Sequence, residues 1–191
     1  RIGHDFLFAG AGYGGSCFPK DVKALLKTAQ ELGHEAKILN AVEEVNDKQK
    51  ELMVKKVLKH FGGDVKSKTF AVWGLAFKPK TDDMREAPSV VIINKLIEKG
   101  AKIQAFDPEA VKEAKKIIPE SPSVKYFETS YKALEKADAL ILVTEWGSFR
   151  EPDFDKMKTI MNAPVIFDGR NLYNPKFVRG FGFTYYSIGR P

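Results

Sequence analysis

Apolar positions along this chain fall into two regimes. Residues 1–18 carry Gly and Phe without a period and read as a loop. After Pro19, a residue suited to a first helical turn, Val22, Leu25, Leu26, Ala29 and Leu32 recur at three- and four-residue spacing, and Gly33 is a natural stop. A second helix is predicted over 36–61, where Leu39, Val42, Val45, Leu52 and Val57 make one broad stripe ended by Gly62-Gly63. At ~1.5 Å per residue this helix would reach about 40 Å, long for one small domain. It reads as a spine joining two domains, or as a surface where two copies pack.

From Lys68 onward the pattern changes. Short apolar runs predict strands over 69–73, 102–106, 124–127, 139–143, 165–167 and 185–188. Between them, helical spacing predicts helices over 88–99, 108–117, 130–136 and 153–161. Apolar strands alternating with amphipathic helices mean a parallel sheet covered on both faces. The expected class is therefore α/β: a helical segment over 1–63, followed by a Rossmann-like, doubly wound parallel sheet domain over 64–191.

Composition narrows the partners. With 191 residues the chain can bury a core without disulfides or metal, and its single cysteine allows no intrachain disulfide. Nothing argues for an oxidising compartment, so a cytoplasmic place is expected. No apolar run approaches the ~20 residues needed to span a bilayer, so no membrane partner is expected. The net charge of +6 favours an anionic ligand. Acids interleave with the Lys and Arg and there is no basic arm, so nucleic acid is not the expected partner. The chain opens on Arg1 without an initiator Met, which reads as part of a longer protein.

Four segments could carry chemistry. Gly10-Ala11-Gly12-Tyr13-Gly14-Gly15 looks like a dinucleotide loop, but no strand precedes it and no helix follows at once; its glycines instead let backbone approach a ligand closely. Cys17 follows at the start of a helix, where terminal N–H groups and the nearby Lys20 favour the thiolate. Asp21 lies one turn on, where a carboxylate can orient water or take a proton. A cysteine hydrolase needs a histidine partner; His4, His34 and His60 are scattered, and no metal-ligand spacing joins them. Third, the first strand runs into a loop with Lys78, Lys80 and Arg85 in place of the glycine fingerprint. Asp107 stands where a ribose-binding acid would sit, yet without those glycines the role is not assigned. Fourth, Asp168-Gly169-Arg170-Asn171 brings an arginine to the same sheet edge, where it can pair with phosphate or a sugar hydroxyl. Thr144-Glu145-Trp146, also at a strand end, reads as loop packing.

Taken in order, Gly14 to Asp21, Gly74-Leu75-Ala76-Phe77-Lys78-Pro79 with Thr81-Asp82-Asp83 and Arg85-Glu86, Thr144-Glu145-Trp146, and Asp168 to Tyr173 resemble the UDP-glucose/GDP-mannose dehydrogenase family across essentially the whole chain. The wording is nearest to bacterial members that oxidise UDP-glucose. The resemblance implies a two-step oxidation of a sugar C6 alcohol to a carboxylate with two NAD, through a thiohemiacetal and a thioester on Cys17, with Asp21 assisting proton transfers and hydrolysis. It implies substrate contacts at Phe6, Leu7, Phe8, Ala9, Gly10, Gly14, Phe77, Lys78 and Arg170. It implies NAD contacts at Lys20 and Arg85, and an Arg1 that reaches the substrate of a neighbouring subunit. The helix over 36–61 would lie in the family's central helical layer, where two subunits pack as a homodimer.

The family's amino-terminal dinucleotide domain, with its acid pair, threonine, lysine and asparagine, has no counterpart here, so this chain alone is expected neither to bind NAD properly nor to turn over. A member acting on GDP-mannose or UDP-N-acetylmannosamine, and a non-catalytic nucleotide-sugar-binding module, remain alternatives; a cysteine hydrolase is a third.

Overall fold

A computed structural model describes residues 3–190, without the side chains of Asp5 and Phe6. A 3-10 turn over His4–Leu7 precedes α1 (Phe18–Glu31) and α2 (Lys37–His60). Then β1 (Thr69–Trp73), α3 (Pro88–Glu98), β2 (Lys102–Phe106), α4 (Val111–Ile117), β3 (Val124–Tyr126), α5 (Ser130–Leu134), β4 (Ala139–Leu142), α6 (Phe154–Ile160), β5 (Val165–Asp168), α7 (Pro175–Gly180) and β6 (Thr184–Tyr186) follow.

The six strands form one sheet in the order β3-β2-β1-β4-β5-β6, with every pairing parallel. The order reverses between β1 and β4, so the carboxyl ends of these two strands flank the switch point of a Rossmann-type sheet. The period of two in β1 shows how both faces are covered. Phe70 and Val72 pack on one face with Ile92, Ile93 and Leu96 of α3 and Met53, Val54 and Val57 of α2. Ala71 and Trp73 pack on the other with Leu134 of α5 and Phe154 and Met157 of α6.

The helical segment departs from the sequence expectation in an informative way. On α2 the buried positions are Asn46, Lys50, Met53, Val54 and Val57, which follow a helical face but not the predicted stripe. Of that stripe only Val57 is buried, and Val45 is 63% exposed. The carboxyl half of α2 thus belongs to the sheet's core, and His60 adds a hydrogen-bond contact of 2.9 Å between its Nδ1 and the Tyr186 hydroxyl of β6. On α1 only Pro19 and Val22 are buried, while Leu25, Leu32 and Ile38 lie exposed around the α1–α2 turn.

The remaining differences are local. The helix expected from Pro108 begins at Val111, because Asp107 Oδ1 accepts the Glu109 and Ala110 amides at 2.9 and 2.8 Å and winds that stretch into a turn. The helix expected over 130–136 ends at Leu134, before Lys136 takes a φ of 58°. No helix was expected after Asn171, yet α7 forms there: Asn174 caps it by accepting the Lys176 and Phe177 amides, and Pro175 opens it. No helix among the described residues is long and apolar enough to cross a membrane.

Candidate functional site

The site is built where the loop before α1 meets three strand-end loops. At the end of β1 the chain turns sharply: Gly74 has φ 87°, and a side chain there would meet Thr144 Cβ at 2.5 Å. The turn is closed on itself. Asp107 Oδ2 accepts the Leu75 and Ala76 amides at 2.6 and 3.2 Å and the Trp146 indole N–H at 3.1 Å. Ser89 donates to the Leu75 carbonyl, and Thr144 donates to that of Ala76. An internal carboxylate therefore fills the position that a pyrophosphate takes in a dinucleotide loop. That gives Asp107 a structural role in place of a ribose contact.

Beyond this turn the loop is shaped by its own acid. Asp83 accepts from the Arg85 amide and, through both oxygens, from its guanidinium at 2.9 and 2.8 Å. Those Arg85 hydrogen bonds hold the Asp83 carboxyl below the usual range. Lys78 is exposed, with its ammonium 5.2 Å from the centre of the Phe77 ring.

The glycine-rich loop lies across these elements. Gln49 donates to the Gly10 carbonyl at 2.7 Å, and Asn46 brackets Tyr13, accepting its amide at 2.8 Å and donating to its carbonyl at 3.3 Å. Tyr13 donates its hydroxyl to Glu43; burial first, and then that carboxylate, push the Tyr13 hydroxyl well above its ordinary pKa. The Gly15 amide donates to the Arg85 carbonyl at 2.8 Å. A side chain on Gly14 would strike the Glu86 carbonyl, with its carbon at 2.9 Å, and one on Gly15, whose φ is 93°, would meet the Phe77 ring at 2.7 Å. These close approaches require glycine. Gly14→Ala is expected to lower stability by about 2 kcal/mol, the range for overpacking against fixed backbone, read as a fall in the urea midpoint. An unchanged midpoint would mean the loop packs elsewhere.

Cys17 occupies the residue just before α1, with φ −86° and ψ −63°, and its carbonyl accepts the Asp21 amide at 2.9 Å. Its thiol is exposed, 3.6 Å from the Ser16 hydroxyl, and lies within electrostatic reach of Arg85. Lys20 and Asp21 are both exposed and pair at 3.3 Å.

Arg170 reaches the same region from β5. Its Nη2 donates to Glu145 Oε1 at 2.7 Å; its Nε also lies 2.7 Å from Glu145 Oε2, an ion-pair contact without hydrogen-bond alignment. The guanidinium lies directly against Gly10, where an added side chain would have to displace it. Asp168 does not face this site. It is buried and accepts the Arg170 and Tyr173 amides and the Tyr185 hydroxyl.

The fold thus brings together Gly10 with Arg170, Gly14 with Phe77, and Cys17 with Arg85, residues far apart in sequence. Leu7 and Phe8, 70% and 62% exposed, and Ala9 lie at the surface. Arg1 and the Phe6 side chain lie outside the described residues. Among the described residues no group of three His, Cys, Asp or Glu could hold a metal ion.

The comparisons with known proteins decide the family. Residues 71–175 match the UDP-binding domain of the UDP-glucose/GDP-mannose dehydrogenase family, and residues 1–48 match its central domain. The chain belongs to the UDP-glucose/GDP-mannose dehydrogenase family. It is 48% identical over its whole length to the UDP-glucose 6-dehydrogenase of Pseudomonas aeruginosa and 46% to TuaD, a UDP-glucose 6-dehydrogenase of Bacillus subtilis. It covers 43% and 41% of those proteins, so it spans less than half the length of the relatives it matches. The solved UDP-glucose dehydrogenase of Pyrobaculum islandicum superposes with a TM-score of 0.82 at 33% identity, over 98% of this chain and 40% of that one.

Set in this family, Glu145, Trp146 and Glu86 are the residues whose placement the sequence did not reveal. Glu145 orients Arg170, Trp146 completes the cradle of Asp107, and Glu86 meets the glycine loop. The signal for Glu145 was an acid at a strand end facing a loop with one arginine; nothing in spacing joined the two.

Proposed function

We propose that this chain forms the nucleotide-sugar half of an NAD-dependent UDP-glucose 6-dehydrogenase, with Cys17 as the nucleophile. One observation carries the reading: an exposed thiol at the start of α1 is held, through Gly14 and Gly15, against the loop after β1 at the switch point of a UDP-binding-type sheet. Residues 1–63 would then be part of a central helical domain, and residues 64–191 the UDP-sugar-binding domain. The exposed Leu25, Leu32, Ile38 and Val45 support packing of the helical part against a second copy in a homodimer.

In this reading Arg170, Lys78, Phe77 and the loop from Phe6 to Gly14 hold the UDP-sugar. The turn after β1 does not fit a dinucleotide, because Asp107 already takes its amides. Lys20, exposed in the first turn of α1, and Arg85, exposed within electrostatic reach of the thiol, are the residues that would touch NAD carried by another unit. NAD, when bound, supplies the hydride acceptor. The chain's own steps are covalent and acid–base. Once a first hydride and the hydroxyl proton have left the C6 alcohol, the Cys17 sulfur adds to the resulting aldehyde carbon and the thiol proton passes to its oxygen, giving a thiohemiacetal. Loss of a second hydride from that carbon, together with the hydroxyl proton, leaves a thioester. Water then adds to the thioester carbonyl, with Asp21 taking a water proton, and the C–S bond breaks to release the carboxylate and return the thiol. No histidine is needed, because hydride loss rather than amide cleavage produces the acyl group.

Calorimetric titration of this chain with UDP-glucose, GDP-mannose and UDP-N-acetylmannosamine tests the assignment. Binding of UDP-glucose in preference to the other two is expected, with no NADH formed by this chain alone when NAD is added. Preference for another sugar nucleotide would move the chain to a different member activity, and turnover by the isolated chain would refute the need for a separate NAD-binding unit.

A further inference from the structure

Among the described residues of the site, Glu86 combines a left-handed backbone with ties to both long helices. Its φ is 53°, a conformation that costs free energy for any residue with a side chain and survives only where surrounding contacts impose it. Those contacts are specific. Lys23 of α1 pairs with Glu86 Oε1 at 2.7 Å, and Lys50 of α2 pairs with Oε2 at 3.0 Å. The Lys50 side chain is only 6% exposed, so this ion pair lies at the buried end of the clamp. Its stem packs on Gly12, where an added side chain would meet Lys50 Cγ at 2.9 Å. The Glu86 backbone closes against Gly14, and the preceding carbonyl, of Arg85, takes the Gly15 amide.

The carboxylate, the strained backbone and the glycine loop therefore meet at one point. We propose that Glu86 is a positioning residue that holds the Gly14–Cys17 loop in place, by clamping α1 and α2 to the loop after β1 through Lys23 and Lys50. Cys17 sits between two of the clamped parts, the Gly15–Arg85 hydrogen bond before it and Lys23 after it. Glu86 itself touches no reacting atom. The clamp fixes where the thiol stands relative to Arg85 and the sheet edge. As a role in catalysis this rests on the reading of Cys17 as the nucleophile; as a mechanical statement about the loop it does not.

The electrostatics agree with the geometry. Hydrogen bonds from Lys23, then from Lys50, lower the Glu86 carboxyl below its ordinary range, and the bond to Glu86 raises Lys23 above its own. Both partners thus keep their charges through neutral pH, so the clamp is closed under working conditions.

Hydrogen exchange on the 191-residue chain tests this directly. In Glu86→Gln the Gly15 amide is expected to exchange at least about tenfold faster, while amides of β1 and β4 keep their rates, the mark of local rather than global opening. The rate of Cys17 alkylation by iodoacetamide at neutral pH is expected to change by about threefold or more, because the loop no longer fixes the surroundings of the thiol, and an unchanged rate overturns the proposal. Glu86→Gly, which relieves the backbone strain but removes the carboxylate, is expected to loosen the same amides. Unchanged Gly15 protection in either variant overturns the proposal, and so does a loss of protection as large in β1 and β4 as at Gly15. Should Glu86→Gln not fold, Lys23→Met removes the more exposed arm of the clamp and is expected to loosen the same loop, with no loosening again overturning it. Turnover retained by a Cys17→Ala enzyme would sink the nucleophile and leave the exchange result standing, so the two failures are distinguishable.

Discussion

Cys17→Ala in a full-length dehydrogenase carrying this sequence is expected to abolish NADH formation from UDP-glucose, a loss of at least about a thousandfold, with stability almost unchanged. Without the sulfur there is no acyl carrier, and oxidation of the aldehyde loses its covalent route. The fold asks little of this side chain. It is exposed, the Cys17 carbonyl accepts the Asp21 amide whatever the side chain, and the thiol's one hydrogen-bond contact among the described residues is an exposed one to the Ser16 hydroxyl. A surface substitution of this kind shifts stability by no more than about 0.5 kcal/mol. The measurement is a steady-state assay beside a urea titration and UDP-glucose binding. Turnover at anything near the parent rate would remove Cys17 from the chemistry. Lost turnover with an equally lowered urea midpoint would mean that the residue is structural.

The opposite pattern is expected of Asp107→Ala. Asp107 is 2% exposed and accepts from four backbone amides, those of Leu75, Ala76, Glu109 and Ala110, and from the Trp146 indole. Truncation leaves these donors without their acceptor inside the core. At roughly 1–3 kcal/mol for each unsatisfied buried group, and with water recovering part of it, a loss of about 4 kcal/mol is expected. That is a large share of the stability of a typical domain. The test is the urea midpoint, with Trp fluorescence following the indole. A change under about 1 kcal/mol would show that the cradle is not what closes the turn after β1. Asp107 and Cys17 thus separate two kinds of residue at one sheet edge: one builds the edge and the other is presented by it.

Much of this is legible in the sequence. Runs such as Ala139 to Leu142 are apolar at every position because both sheet faces are covered, and that is a sequence-visible property of a parallel strand. Pro88 and Gly100 mark the ends of α3 by their backbone restrictions alone. The short α7 was missed although Asn174-Pro175 is an ordinary helix start, because six residues leave too little room for an apolar period to appear. The stripe on α2 failed for another reason. Periodicity says that a face is apolar and not what lies against it, so Val45 and Val57 looked equivalent, although one is exposed and the other is in the core.

Most of the elements, the α/β class and the motif wording of the family are legible along the chain alone, because propensity, turn chemistry and apolar spacing are local properties. The sequence also singled out Cys17, through its place between a glycine loop and a helix start. Only the tertiary structure decided which of the charged residues face each other. Arg170 finds Glu145 across 25 residues, and Lys50 finds Glu86 across 36. Asp107 turns inward to seal the first crossover rather than outward to a ribose. Such pairings depend on the strand order, with β4 beside β1 and β5 beyond it, and on the direction in which α2 returns over the sheet. No spacing rule encodes them, because a side chain's partner is set by the path of the chain between them.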